Sequence, residues 1–107
     1  MYIIDVKLDV VRAWQGHKIE PKWFVVLEGE LKIKAVPINV NSNISLVDCF
    51  QITVLKSDNK IVHIPAGYYN GFKAFKPNSK LLILSNLTIS ESLTDDYRLS
   101  TKELNWI

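Results

Sequence analysis

Two short stretches of the sequence concentrate side chains that can do chemistry. Arg12-Ala13-Trp14-Gln15-Gly16-His17-Lys18-Ile19-Glu20-Pro21-Lys22-Trp23 sets an imidazole, a guanidinium, a carboxylate, an amide and two ammonium groups among two indoles. His63-Ile64-Pro65-Ala66-Gly67-Tyr68-Tyr69-Asn70-Gly71-Phe72 places a second histidine, two phenols and an amide around a Pro-x-Gly turn. An imidazole titrates nearest to neutrality, at about 6.5 when unperturbed, and is the natural general base. Lysine and arginine carry the charge that meets an anion directly. Phenols and indoles add stacking surface, and the phenol a proton to donate. In both stretches these groups interrupt a β pattern.

The elements that must hold them are strands. Lys22 to Ile38 reads as two strands around Glu28-Gly29-Glu30. After the glycine, Leu31, Ile33 and Ala35 alternate with Lys32 and Lys34, as on a half-buried strand. Before it, Trp23 to Leu27 is a continuous apolar run, expected of a strand buried on both faces. Asn39 to Ser45 is a polar loop. Strands are expected over Val47–Leu55, Lys60–Ile64, a short Phe72–Phe75 and a long Lys80–Ile89, with turns at Ser57-Asp58-Asn59, Pro65-Ala66-Gly67 and Pro77-Asn78. Short strands at regular spacing mean a sandwich or small barrel. Ser100-Thr101-Lys102-Glu103 has the spacing of a helix capping box, so a short helical turn is expected near the C-terminus.

The spacing of the two stretches resembles that of the cupin barrels. The first cupin motif sets two histidines two residues apart, then a glutamate, then a glycine; here those places hold Gln15, His17, Lys22 and Gly29. The second motif is Pro-x-Gly followed by a histidine; here it is Pro65, Gly67 and Asn70. A cupin metal site takes three imidazoles and a carboxylate. An ammonium at the carboxylate place repels a divalent cation, and amides are poor transition-metal ligands, so the pocket reads as metal-free, with no cofactor. The fold this implies is all-β: one cupin domain over residues 1–107, a double-stranded β-helix or jelly-roll barrel.

Within the cupins the chain resembles the RmlC-like sugar-nucleotide enzymes. These are the dTDP-4-dehydrorhamnose 3,5-epimerases and the dTDP-4-keto-6-deoxyhexose 3,4-ketoisomerases, including the WxcM-like proteins. The resemblance is carried by Arg12-Ala13, His17-Lys18, Lys22-Trp23-Phe24, Gly29 and Ile64-Pro65-x-Gly67, with Asp96-Tyr97-Arg98 similar to the ketoisomerase ending. It implies a metal-free isomerase or epimerase of a nucleotide-linked 4-keto-6-deoxy sugar, serving the synthesis of sugars for cell-surface polysaccharide. Such chemistry removes a proton beside a ketone and stabilises the enolate. His17 is then the base, with Lys22 beside it. Arg12, Gln15, Lys18, Trp23, Tyr68 and Asn70 are the expected substrate contacts. Gln15 stands where the epimerases carry their base histidine, and Leu81 to Asn86, where they carry a tyrosine acid, has no tyrosine. These departures favour a second reading, a non-catalytic sugar-nucleotide-binding or structural module. A metal-dependent cupin such as a dioxygenase is a weaker third.

Each residue also has a structural reading. His17 can hydrogen-bond in a partly buried barrel, Lys22 can be a solvated strand start, and Arg12 a surface ion-pair partner. Trp14 and Trp23 suit core or rim packing. Tyr68 and Tyr69 point to opposite faces of a strand, so at most one lines a pocket. Asn70 suits a turn, His63 an exposed position and Cys49 a core thiol. Asn43-Ile44-Ser45 and Asn86-Leu87-Thr88 match the glycosylation pattern, which a cytoplasmic chain does not use.

Composition bounds these readings. At 107 residues and 48% hydrophobic, the chain suits one domain and excludes a disordered segment. One cysteine excludes an internal disulfide or a thiolate zinc cluster. A net charge of +2 with scattered lysines gives no case for nucleic acid. No apolar run is long enough to cross a membrane, and the first residues do not read as a signal peptide, so a cytoplasmic chain is expected. The resemblance implies further N-terminal β segments, and relative to it the chain is expected to be short at its N-terminus. A minimal barrel with open sheet edges is expected to pair as a homodimer.

Overall fold

The computed structural model describes residues 1–38, 49–86, 94–102, 104 and 106. Its strands are β1 (Tyr2–Val6), β2 (Val11–His17), β3 (Lys22–Glu28), β4 (Glu30–Pro37), β5 (Phe50–Leu55), β6 (Ile61–Ile64), β7 (Tyr68–Ala74), β8 (Ser79–Ser85) and β9 (Tyr97–Arg98). They form two antiparallel sheets, one of four strands in the order β1-β8-β3-β6 and one of five in the order β5-β4-β7-β2-β9. A 3-10 turn (Lys56–Asp58) joins β5 to β6 and ends on Asn59 in the left-handed region.

Alternation decides what lies between the sheets. Leu31, Ile33 and Ala35 of β4, Phe24 and Val26 of β3, Phe72 of β7 and Leu81 and Ile83 of β8 interlock in one core. The apolar run of β3 therefore divides: Lys22, Phe24 and Val26 are buried inside, whereas Trp23, Val25 and Leu27 lie on the outer face and are only half-buried. This corrects the expectation of a strand buried on both faces. β7 also starts earlier than expected, so that Asn70 sits within a strand rather than in a turn. β8 ends at Ser85, and the expected continuation to Ile89 lies outside the described residues, as does the Asn39–Ser45 loop.

A second core covers the outer face of the five-stranded sheet. Trp14 and Val36 pack there against Leu104 and Trp106 from the end of the chain. The Trp14 indole N–H donates to the Leu104 carbonyl at 2.8 Å, and the Trp14 and Trp106 rings lie 5.4 Å apart. Lys34 donates to the Trp106 carbonyl and sets its ammonium over the Trp106 ring. The helical turn expected near the C-terminus is one hydrogen bond, from the Leu104 N–H to the Ser100 carbonyl at 3.0 Å. Glu103, the other half of the capping box, lies outside the described residues.

The β3–β4 hairpin turns at Gly29, whose φ is +82° and where an added Cβ would stand 2.1 Å from Ser79 Oγ. Side chains other than glycine resist that backbone region, and the space is already filled. Gly29→Ala is expected to cost about 2 kcal/mol, the left-handed penalty plus displacement of Ser79. A chemical denaturation curve checks it; a loss below about 0.5 kcal/mol would contradict the contact.

Candidate functional site

Between the two sheets, at the end where β2 and β9 meet β1 and β3, lies a cavity of about 610 Å³. Arg12 and Gln15 of β2, Lys22 of β3, Asn70 of β7, Arg98 of β9 and Tyr2 of β1 all line it, over an apolar floor that includes Phe24, Phe72 and Ile83. Strand register explains the gathering. Gln15 faces Asn70 on one side and Arg98 on the other, and Arg12 faces Phe72. Lys22 comes from the opposite sheet, on the same inward parity as Phe24 and Val26.

The polar groups form one chain. The Lys22 ammonium donates to Gln15 Oε1 at 3.3 Å, and Gln15 Nε2 donates to Asp96 Oδ1 at 3.3 Å. Arg98 donates to both Asp96 oxygens, at 3.0 and 3.4 Å. The Arg12 guanidinium lies 5.7 Å from the centre of the Phe72 ring. Lys22 is 3% exposed. Burial pushes its ammonium below the usual lysine range, against the opposing pull of Glu20 and Asp96. Burial, with help from Glu20, pushes the Tyr2 phenol up, and Arg12 and Arg98 only partly offset this. For Asp96, burial pushes up but the hydrogen bonds from Arg98 and Gln15 outweigh it and hold the carboxyl low.

His17 lies apart from these lining residues. It is 2% exposed, with Nδ1 at 2.6 Å from the Asp95 carbonyl oxygen and 3.1 Å from Glu20 Oε2. Two acceptors on one nitrogen place the ring proton on Nδ1. Nε2 is buried and has no hydrogen-bond partner among the described residues. Asp95 holds the segment after β2: its carboxylate accepts the backbone N–H groups of Lys18 at 2.9 Å and of Ile19 and Glu20 at 2.8 Å each. Burial pushes the Asp95 carboxyl up, but those amides, with His17, overcome it and leave it below the usual carboxylate range. Ser85 donates to the Glu20 carboxylate and completes the cluster.

The other expected contacts also have definite places. The Lys18 ammonium lies 4.8 Å from the centre of the Tyr97 ring. Trp23, on the outer face of its sheet, stacks on His63 with ring centres 5.1 Å apart and planes at 12°. Tyr68 packs against the main core and Tyr69 against the second, on opposite faces as strand geometry requires. Cys49 is half-buried beside the second core, its thiol donating to the Phe50 carbonyl. So Arg12, Gln15, Lys22 and Asn70 meet in the cavity, and His17, Lys18, Trp23 and Tyr68 are not among its lining.

Sequence reasoning named neither Tyr2 nor Asp95, and Arg98 only for the family resemblance and not for the site. Tyr2, Ile4 and Val6 do show the alternation of a strand, but nothing in that spacing ties it to a cavity. Asp95 is 77 residues from the Lys18 amide it accepts, and no local signal joins them. As for metal, no group of three His, Cys, Asp or Glu side chains among the described residues is arranged to hold an ion. Nor, among these residues, is any helix long and apolar enough to cross a membrane.

No protein-family model and no curated protein matches the sequence. Solved structures do. A dTDP sugar isomerase from Desulfovibrio desulfuricans superimposes with a TM-score of 0.78 at 18% identity, over 99% of this chain and 68% of its own. The 3'-monoepimerase ChmJ from Streptomyces bikiniensis, solved as a double mutant in complex with dTDP, gives 0.78 at 14% identity, over 92% and 50%. The fold is that of an RmlC-like cupin. The capsular polysaccharide assembling protein CapF from Staphylococcus aureus adds a TM-score of 0.77 at 17% identity. There the match takes in 92% of this chain but 27% of CapF, so the chain spans about a quarter of that protein's length. In this fold β2 carries Gln15, β3 carries Lys22 and β7 carries Asn70, which is why the three converge.

Proposed function

We propose that the cavity binds a nucleotide-linked 4-keto-6-deoxy sugar of the dTDP class and that the protein isomerises or epimerises it without a metal. The observation that carries this reading is Lys22, a buried ammonium on the cavity wall whose one hydrogen bond among the described residues is to the Gln15 amide. Arg12 and Arg98 line the same cavity and supply charge for a diphosphate or an enolate oxygen. Burial makes the neutral amine of Lys22 accessible nearer to neutral pH, which suits it to take a proton from the carbon beside the ketone. In this reading Lys22 stands in for His17 as the base. The Tyr2 phenol, on the same cavity, is positioned to return a proton, and its raised pKa keeps it protonated. The dTDP in the ChmJ complex supports the choice of nucleotide, and CapF, a capsular polysaccharide assembling protein, supports a place in making cell-surface sugars, in the cytoplasm. The working unit in this reading is a homodimer.

Incubation with dTDP-4-keto-6-deoxyglucose in heavy water tests it. Deuterium is expected at a carbon flanking the ketone, with a new sugar formed. Gln15 at the usual base place and His17 away from the cavity lining favour the second reading, a non-catalytic sugar-nucleotide-binding module. Calorimetric binding of dTDP-sugars with no deuterium uptake would establish that reading instead. No binding at all would overturn both.

A further inference from the structure

Arg98 reaches the cavity from β9, a strand of two residues at the edge of its sheet. Among the described residues β9 pairs with β2 alone, Gln15 facing Arg98 and Gly16 facing Tyr97. Ordering the backbone costs more than one hydrogen bond per residue returns, so a strand this short needs holding from outside. On one side Asp95 holds it, through the amides of Lys18, Ile19 and Glu20. On the other, Leu99 and Trp14 exchange two backbone hydrogen bonds, at 2.9 and 3.1 Å. Asp96 orients the Arg98 guanidinium but sits on the same segment and moves with it.

Trp14 is in turn clamped from the outer face of the sheet. Its indole N–H donates to the Leu104 carbonyl, and the Trp106 ring lies against its own. The Trp106 ring has a definite seat. Lys34 of β4, Gly71 of β7 and Ala13 of β2 stand opposite one another across three strands. A Cβ added to Gly71 would come within 2.8 Å of the Trp106 ring, so the ring lies directly on bare backbone. Lys34, 5% exposed, closes the seat from the β4 side. A buried ammonium is a weak source of stability. Here it fixes one place for the ring and one for the carbonyl, by a cation–π contact and a charged hydrogen bond.

The second core and the cavity share a wall. Val11, Ala13, Trp14 and Leu99 line the cavity and also belong to the second core or pack against it. Trp106 itself is not among the cavity lining. We propose that Trp106, held by Lys34, is a positioning residue of the cavity: it fixes Trp14 and Leu99, and through them sets Arg98 against the anionic group of the ligand. The proposal rests on the reading of the cavity as a site for a nucleotide-linked sugar, whose diphosphate is the group that Arg98 meets. A guanidinium grips a diphosphate through paired, directional hydrogen bonds, which a displacement of about 1 Å breaks.

Calorimetric binding of dTDP and amide hydrogen exchange at Trp14 and Leu99 test the proposal. The proteins compared are the parent, Trp106→Ala, Trp106→Phe, Arg98→Met and the Trp106→Ala, Arg98→Met double variant. Trp106→Ala is expected to weaken dTDP binding at least ~10-fold, and Trp106→Phe, which keeps a ring on Gly71 and under Lys34, less than ~3-fold. In the Arg98→Met background the same Trp106→Ala change is expected to weaken binding less than ~2-fold, because its route is gone. An equal loss in both backgrounds overturns the proposal. Exchange decides the matter without a ligand: both amides are expected to lose protection at least ~10-fold in Trp106→Ala. Unchanged protection there overturns the proposal, whatever binds. If protection falls but the parent binds neither dTDP nor a dTDP-sugar, the substrate reading fails while the hold on β9 stands. Should Trp106→Ala unfold, Trp106→Leu, which keeps apolar cover but no ring, takes its place with the same expectations.

Discussion

Lys22→Met is expected to abolish most proton exchange, by at least ~100-fold, while leaving the fold as stable as before or more stable. The loss follows from the place of the ammonium. It is the buried cation on the cavity wall, and a positioned acid or base contributes about 10²–10⁴-fold. Methionine keeps the length of the side chain but brings no charge and no proton. The gain in stability follows from the same burial. A lysine 3% exposed, with one amide acceptor among the described residues, has given up hydration for little return. Its folded pKa lies below the unfolded value, so between the two the unfolded chain holds more protons. Stability therefore rises as pH rises through that window, and methionine removes the dependence. Exchange in heavy water and a denaturation midpoint, measured on one preparation, check both halves. A variant that is unfolded, or that exchanges at the parental rate, would contradict the assignment.

The second large effect is structural. Asp95→Ala is expected to cost about 3 kcal/mol, because three backbone amides lose the carboxylate that holds them, while His17 keeps its bond to the main-chain carbonyl. Against a total of roughly 5–15 kcal/mol this is a large share, and a fall in Tm on the order of 10–20 °C follows for a domain of this size. Asp95→Asn is the finer probe. One oxygen can still accept from Lys18, but the amide end meets the Ile19 and Glu20 N–H groups that Oδ2 now accepts. The pH dependence has a definite sign. The folded pKa of Asp95 is depressed, so its contribution is complete above the ordinary carboxylate value and is lost as pH falls through the folded one. The parent should unfold more steeply in acid than Asp95→Asn. Thermal scans from about pH 2 to 7 show it, and parallel acid limbs would count against the role.

Much of the fold is legible in the residues. The Glu28-Gly29-Glu30 hairpin, the alternation of β4 and the turn at Pro65-Ala66-Gly67 are local signals, each set by backbone geometry and period-two burial. They place Lys22 at the start of β3, but they give no strand over Val11–His17 and leave Asn70 in a turn, so the meeting of Gln15, Lys22 and Asn70 does not follow from them. His17 and Lys22 show where legibility stops. Both are ionisable groups at the border of a strand in one stretch, and the intrinsic pKa alone favours His17 as the base. The structure sends Lys22 to the cavity wall and folds His17 against Asp95, because β2 and β3 lie in different sheets and the segment between them wraps around a carboxylate from far along the chain.

The same limit applies to β3. Spacing shows that its odd and even residues face opposite ways, but when both sets are apolar it does not say which set has a covering layer. That depends on contacts between residues distant in sequence, such as Leu104 and Trp106 closing over one sheet while Trp23 and Val25 on the other are half-buried. The amino-acid order by itself determined an all-β chain with its main hairpin and turns. Tertiary structure decided which charges share the cavity, that His17 packs against Asp95 and Glu20, and which sheet face Leu104 and Trp106 cover. Period-two patterns and turn residues act over a few positions, whereas burial and charge pairing are properties of the packed whole.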